Sequence, residues 1–266
     1  MTSFLEAQDI DTIISAITMD SESSSTAQLN LIAAAERSSV TKRFIPSEYG
    51  GKVDEEVAKL DPYANFWIDN AKALAKTRLQ YTRIAVGFFM DYWGMPHIDT
   101  AMTPFKWAMD VENGIACIPG TGDELLSMTY SRDLAKFIVR LLDEDEWPEQ
   151  CAVIGQDVTF NQILKWAEDA TGRKFKVSYD SMEKLERGEV TPLSDEMASQ
   201  QTAMQLSVIF DQMVLKGYIL VSDEKGYRLN ERFADLTVLT VEKMIEQVWN
   251  NAPVSGQQVT GRTNLP

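Results

Sequence analysis

No glycine appears in this 266-residue chain before Gly50. The strand-to-helix turns ahead of that point therefore lack G-x-G-x-x-G, the pattern that lets backbone N–H groups approach a pyrophosphate, and no Walker-type loop follows. Cysteine is confined to Cys117 and Cys151, without paired spacing, which excludes a disulfide framework and points to reduced core thiols. His97 is the only histidine, and no serine sits in a G-x-S-x-G elbow, so a Ser-His-Asp triad has no support. With no Cys/His cluster and only scattered carboxylates, no metal is expected. Basic residues are scarce too: 25 against 40 acidic, a net charge of −15. A nucleic-acid surface, which needs a dense basic patch, is thereby disfavoured. No apolar run approaches the roughly 20 residues that span a bilayer, and no basic leader precedes an apolar segment. The expectation is a soluble, cytoplasmic chain.

What is present is an alternation of short apolar runs with helix-period segments, the pattern of a parallel α/β sheet. "TIISAI" reads as a first strand and "TAQLNLIAAAERS" as a helix capped by Thr26. "VTKRFIPSE" is a second strand stopped by Pro46, "NFWIDNAKALAK" a helix, and "YTRIAVGFFM" a third strand. "GIACIPGTGDELLSMTY" predicts a strand pair around the Pro119–Asp123 turn, which makes Gly120 and Gly122 turn residues and not a phosphate loop. "SRDLAKFIVRLLD" is an amphipathic helix capped by Ser131. "TFNQILKWAEDATG" is another, opened by a Thr159/Gln162 capping box and closed by Gly172. The remainder is mostly helical, with a polar, loose tail after Asn251. The reading divides the chain into a core over residues 1–156 and a helical lobe over 157–266.

"TKRFIPSEYGG" (Thr41–Gly51) followed by "LQYTRIAVGFFMDYWG" (Leu79–Gly94) resembles the NmrA-like branch of the atypical short-chain dehydrogenase superfamily, alongside the isoflavone reductases. The resemblance continues through "VENGIACIPGTGD", "YSRDLAKFIVRLL" and "TFNQILKWAEDATGRKFKVSYDSMEKL", and the fungal NmrA-like oxidoreductases of secondary metabolism look most similar. It implies a Rossmann-like parallel sheet with a smaller, mainly helical substrate lobe. It also implies an NADP(H) cofactor and reduction of small aromatic or polycyclic metabolites. In that family "IISAI" is the fourth strand of the sheet, so the resemblance implies an N-terminally truncated sheet. The glycine-rich loop and the residue selecting the 2′-phosphate would lie on strands this sequence does not contain. "TIISAI" would then be an exposed apolar edge, which a homodimer would cover.

By the same resemblance, Ser15, Ala16 and Ile17 pack beside the ribose and nicotinamide, Phe44, Pro46 and Ser47 flank the ring, and Gly87 lines the junction with the substrate pocket. The pocket wall is Trp67, Phe88, Phe89, Tyr92 and His97. The family's catalytic lysine falls at Trp67, and Lys72 lies some 140° away on the helical wheel. An indole is no general acid or base, so no catalytic residue is assigned. Three readings follow. One is an NADP-dependent oxidoreductase. Another is a family member without cofactor, acting as an isomerase, a cyclase or a regulatory binding protein. The third is a shortened gene product.

Overall fold

The computed structural model describes residues 1–221 and 228–250; the tail expected to be loose lies outside them. The chain opens with α1 (Thr2–Ala7), β1 (Thr12–Ile14), α2 (Glu22–Arg37) and β2 (Arg43–Ile45). Next come α3 (Val57–Leu60), α4 (Ala64–Leu74), β3 (Gln80–Tyr81), β4 (Arg83–Ala85) and β5 (Phe88–Phe89). The middle holds α5 (Asp91–Gly94), β6 (Met109–Asp110), β7 (Ile115–Pro119), β8 (Leu125–Thr129), α6 (Ser131–Leu141) and β9 (Gln150–Ala152). The last stretch is β10 (Gln156–Thr159), α7 (Phe160–Thr171), β11 (Lys176–Asp180), α8 (Met182–Glu186), α9 (Asp195–Ala198), α10 (Gln201–Leu215), α11 (Leu229–Arg232) and α12 (Val241–Trp249).

These elements form two compact units. Of the described residues, the first comprises 1–89, 125–157, 216–221 and 228–238, and the second 90–124, 158–215 and 239–250. The segment 90–124, which the sequence reading put in the core, belongs to the second unit.

In the first unit β1, β2 and β3 form a parallel sheet in that order, with Ile13 opposite Phe44 and Phe44 opposite Tyr81. Successive strand residues face opposite sides, and Phe44 and Ile45 show this directly. Phe44 joins Leu5, Ile13, Ile32, Leu74 and Leu79 in one apolar layer, while Ile45 joins Ile84, Val86, Leu134, Phe137 and Val153 in another. A strand covered on both faces reads as an unbroken apolar run, hence "FI" before Pro46. At the outer strand β1, Ile13 is buried but Ile14 stays 44% exposed.

In the second unit β7 pairs with β11 in parallel and with β6 antiparallel. Trp93, Trp107 and Phe160 pack mutually in its core, their ring centroids 5.5–5.8 Å apart.

Several local expectations change. Helix α2 starts five residues earlier than the Thr26 cap requires. Ser21 and Ser24 exchange side-chain and backbone hydrogen bonds there, so a polar run read as loop is a reciprocal cap. Ser131 is the first helical residue of α6 and the cap is Tyr130. The third strand is broken into β3, β4 and β5. The strands flanking the Pro119–Asp123 turn do not pair with each other: β7 joins β11, and β8 joins β5 with Phe88 opposite Met128. The capping box of α7 and the left-handed Gly172 are as expected. Helix α1 was not foreseen; Leu5 enters the core and the Thr2 hydroxyl donates to the Ala34 carbonyl.

Candidate active site

Parallel sheets place ligands in the crevice outside the carboxyl ends of their strands. In the first unit those ends are Ser15–Ile17 after β1 and Pro46–Gly51 after β2. Hydrogen bonds tie the two turns together. The Ser47 hydroxyl donates to the Ile17 carbonyl (2.7 Å) and the Tyr49 hydroxyl to the Ser15 carbonyl (3.0 Å). Burial pushes the Tyr49 phenol up, so it stays a protonated donor. The Ser47 N–H donates to Oε1 of the buried Gln28 (2.9 Å), and the Trp67 indole N–H donates to the Ser47 carbonyl (3.0 Å).

The expected cofactor residues divide by what they have left to offer. Ser15 is buried, its hydroxyl has no partner among the described residues, and the same holds for Nε2 of Gln28. Ala16 is exposed and Ile17 half-buried. Pro46 is buried at the mouth of β2. Phe44 is fully enclosed in the apolar layer, and all three polar groups of Ser47 are engaged within the chain. Gly87 has φ +72°, and a Cβ there would lie 2.0 Å from the Ser127 carbonyl, so close packing on β8 requires glycine. Buried polar atoms without partners mark places where a ligand or water completes the structure. The groups left over after β1 and on α2 are a hydroxyl and an amide N–H, open to a polar ligand; the turn Ser15–Ser21 contains no glycine.

Of the expected pocket wall, Trp67, Phe88 and Phe89 lie in the first unit, all half-buried. Phe88 and Phe89 are carried on β5 against β8, while Trp67 projects from α4, its ring fixed through its N–H. Tyr92 and His97 lie in the second unit. Tyr92 packs edge-on against Phe105 (5.8 Å) and exposed His97 edge-on against Trp249 (5.0 Å).

Sequence reasoning missed three polar groups. The Glu48 carboxylate takes a bidentate fork from Arg83, with Nε at 2.6 Å from Oε2 and Nη2 on Oε1. Burial pushes the Glu48 carboxyl up against the pull of that guanidinium. The pair lines a cleft of about 620 Å³ together with Lys52, Asp54 and Glu149. Asp61, between α3 and α4, is 5% exposed. Asp211 on α10 is sealed in the second unit, where Oδ1 accepts the Trp107 indole N–H (2.8 Å) and Oδ2 has no partner among the described residues. Burial holds the Asp211 carboxyl well above the usual carboxylate range. Acidic letters in apolar-flanked segments were the available signal, and charge counting alone treats them as solvated.

Among known proteins, the chain is 28% identical to the oxidoreductase swnN of Arthroderma benhamiae, over 94% of this chain and 87% of that protein. It is 32% identical to the oxidoreductase BOA1 of Botryotinia fuckeliana, over 66% of this chain and 58% of that one. Its fold matches the leucoanthocyanidin reductase–NADPH complex of Vitis vinifera with a TM-score of 0.68 at 16% identity, covering 92% of this chain and 80% of that chain. The Rossmann-like α/β architecture is thus shared with these reductases, and their oxidoreductase class is what the chain is similar to. Residues 6–216 match the NmrA-like family. The chain belongs to the NmrA-like family.

Proposed function

We propose that this chain is an oxidoreductase that uses NADP(H) to reduce a small aromatic metabolite, within fungal secondary metabolism. The observation that carries the reading is the unpartnered, buried Ser15 hydroxyl at the carboxyl end of β1, joined by the Gln28 amide. Similarity to reductases whose structures contain NADPH supports it. Ser15, Ala16, Ile17 and Pro46 would hold the ribose–nicotinamide end, and NADPH, when bound, supplies a hydride. The Tyr49–Ser15 and Ser47–Ile17 bonds keep the two strand ends in register, which is what positioning for such a transfer needs. Trp67, Phe88 and Phe89 carry the aromatic surface of the first unit that this reading assigns to substrate. Trp67 neither gives nor takes a proton, because an indole is no general acid or base.

That last point favours a second reading: a family member without cofactor, acting as an isomerase, a cyclase or a regulatory binding protein. Saturation-transfer NMR with NADPH separates the two. The first reading expects transfer to the nicotinamide and ribose protons, reduced several-fold in Ser15→Val. Absence of transfer in a folded sample contradicts it and leaves the second.

A further inference from the structure

The cleft lined by Glu48 and Arg83 takes no part in the reaction proposed above. Its volume of about 620 Å³ lies within the span of small-molecule sites, roughly 300–1,000 Å³, and every residue lining it belongs to the first unit. Register pairs Arg83 with Gln150 and Ala85 with Ala152, so β4 and β9 present these four on one face. Val53 and Pro148 add further apolar surface.

Within this cleft the arginine is only partly used. The side chains of Glu48 and Arg83 are 6% and 16% exposed. A guanidinium carries five N–H donors in one plane, and Glu48 takes two of them along one edge, from Nε (2.6 Å) and from Nη2. The end-on fork, one N–H from each of Nη1 and Nη2, has no partner among the described residues, and Nη1 is not sealed off from solvent. Burial works against the charge of this guanidinium, and the Glu48 hydrogen bonds and countercharge more than offset it, so Arg83 stays a cation. Such a fork matches the two oxygens of a carboxylate.

The same cleft also offers negative charge. Oδ1 of Asp54 accepts the Glu56 and Val57 N–H groups at the start of α3, both at 2.9 Å, and Oδ2 has no partner among the described residues. Glu149 lines the cleft as well, and its backbone carbonyl accepts the Arg83 N–H at 2.9 Å. Three carboxylates, Glu48, Asp54 and Glu149, thus face two cations, Arg83 and Lys52. A plain anion would fill the fork but add to the negative excess, and a plain amine would leave the fork empty. A ligand carrying both charges meets both demands.

We propose that this cleft binds an amino-acid zwitterion with an apolar side chain, its carboxylate on the end-on fork of Arg83 and its ammonium group beside Asp54. The apolar side chain lies along Ala85, Ala152 and Pro148. Ser15, Ala16, Ile17 and Pro46 line no part of this cleft, so the NADP(H) reading and this one can fail independently.

The test is a calorimetric titration of the full chain at neutral pH with phenylalanine, with hydrocinnamate, which lacks the ammonium group, and with phenethylamine, which lacks the carboxylate. Phenylalanine should bind about tenfold more tightly than either, since each analogue gives up one charge-assisted contact. Arg83→Lys keeps a cation against Glu48 without the second fork, and it should erase the advantage over phenethylamine. If that variant unfolds, Asp54→Asn decides. It keeps the acceptor that caps α3, should unfold at the same temperature as the parent, and should erase the advantage over hydrocinnamate. Unchanged preferences in folded Asp54→Asn overturn the proposal, as do equal affinities for the three ligands or no heat with any of them at millimolar concentration. Inorganic phosphate competing with phenylalanine would make the fork a general anion site and overturn it too.

Discussion

Trp67 and Asp211 are each held by one hydrogen bond to a buried partner, and each makes a separate prediction. Trp67→Phe keeps the ring and removes the N–H that satisfies the Ser47 carbonyl. Urea unfolding should show a loss of about 1 kcal/mol, and an unchanged midpoint would remove the clamp from the account. For Asp211 the direction of pH dependence follows from linkage. Its folded pKa is raised above the ordinary 3.8, chiefly by burial, with Asp180 nearby adding to the rise and the Trp107 hydrogen bond opposing it. Between those two pKa values the folded chain binds a proton that the unfolded chain has released. The contribution is therefore complete below the unfolded value and is lost as pH rises toward the folded one. Asp211→Asn keeps the Trp107 acceptor and cannot ionise, so its stability should fall less steeply between mildly acidic and mildly alkaline pH. Parallel curves for the two proteins would show that Asp211 does not titrate as described.

At the scale of elements, the turn after β2 and the close approach of β5 to β8 determine the shape of the site. Glu48→Gln would leave the Arg83 guanidinium buried with half its partner, at a cost of about 3 kcal/mol in thermal or urea unfolding. Gly87→Ala would place a Cβ against the Ser127 carbonyl in a left-handed conformation, a loss of about 3 kcal/mol that threatens folding. Retained stability in either variant would contradict the packing described. Which parts were legible in the sequence follows the same physics. The strand "RFI" before Pro46 and the helix from Ala64 announce themselves by apolar run and period, because burial on one or two faces dictates both patterns. The Thr159/Gln162 cap is legible because it is local. The start of α2 was not, since serines serve loops and caps equally. Nor was the pairing of β7 and β8, because a glycine turn suggests a hairpin and partner choice is settled by distant chain. For the site, the motif around Pro46–Ser47 located the strand ends correctly. It could not reveal that Phe44 and Ser47 are consumed by neighbours while Ser15 is left over, because that depends on Gln28 and Trp67 arriving from two different helices.

At the scale of the whole molecule, the chain carries 15 surplus negative charges and an outer strand with Ile14 44% exposed. An unpaired strand edge with an apolar side chain invites association. We propose that a second copy covers it. Sedimentation at micromolar concentration should give a dimer that Ile14→Lys converts to monomer, and a monomeric parent chain would contradict this. Among the described residues no helix is long and apolar enough to cross a membrane. The account stands chiefly on a cofactor at the carboxyl ends of β1 and β2, and the most direct measurement is a calorimetric titration of the folded, monodisperse chain with NADPH. It predicts saturable one-site binding in the micromolar range that weakens several-fold in Ser15→Val. No heat of binding, or an affinity untouched by Ser15→Val, would contradict it.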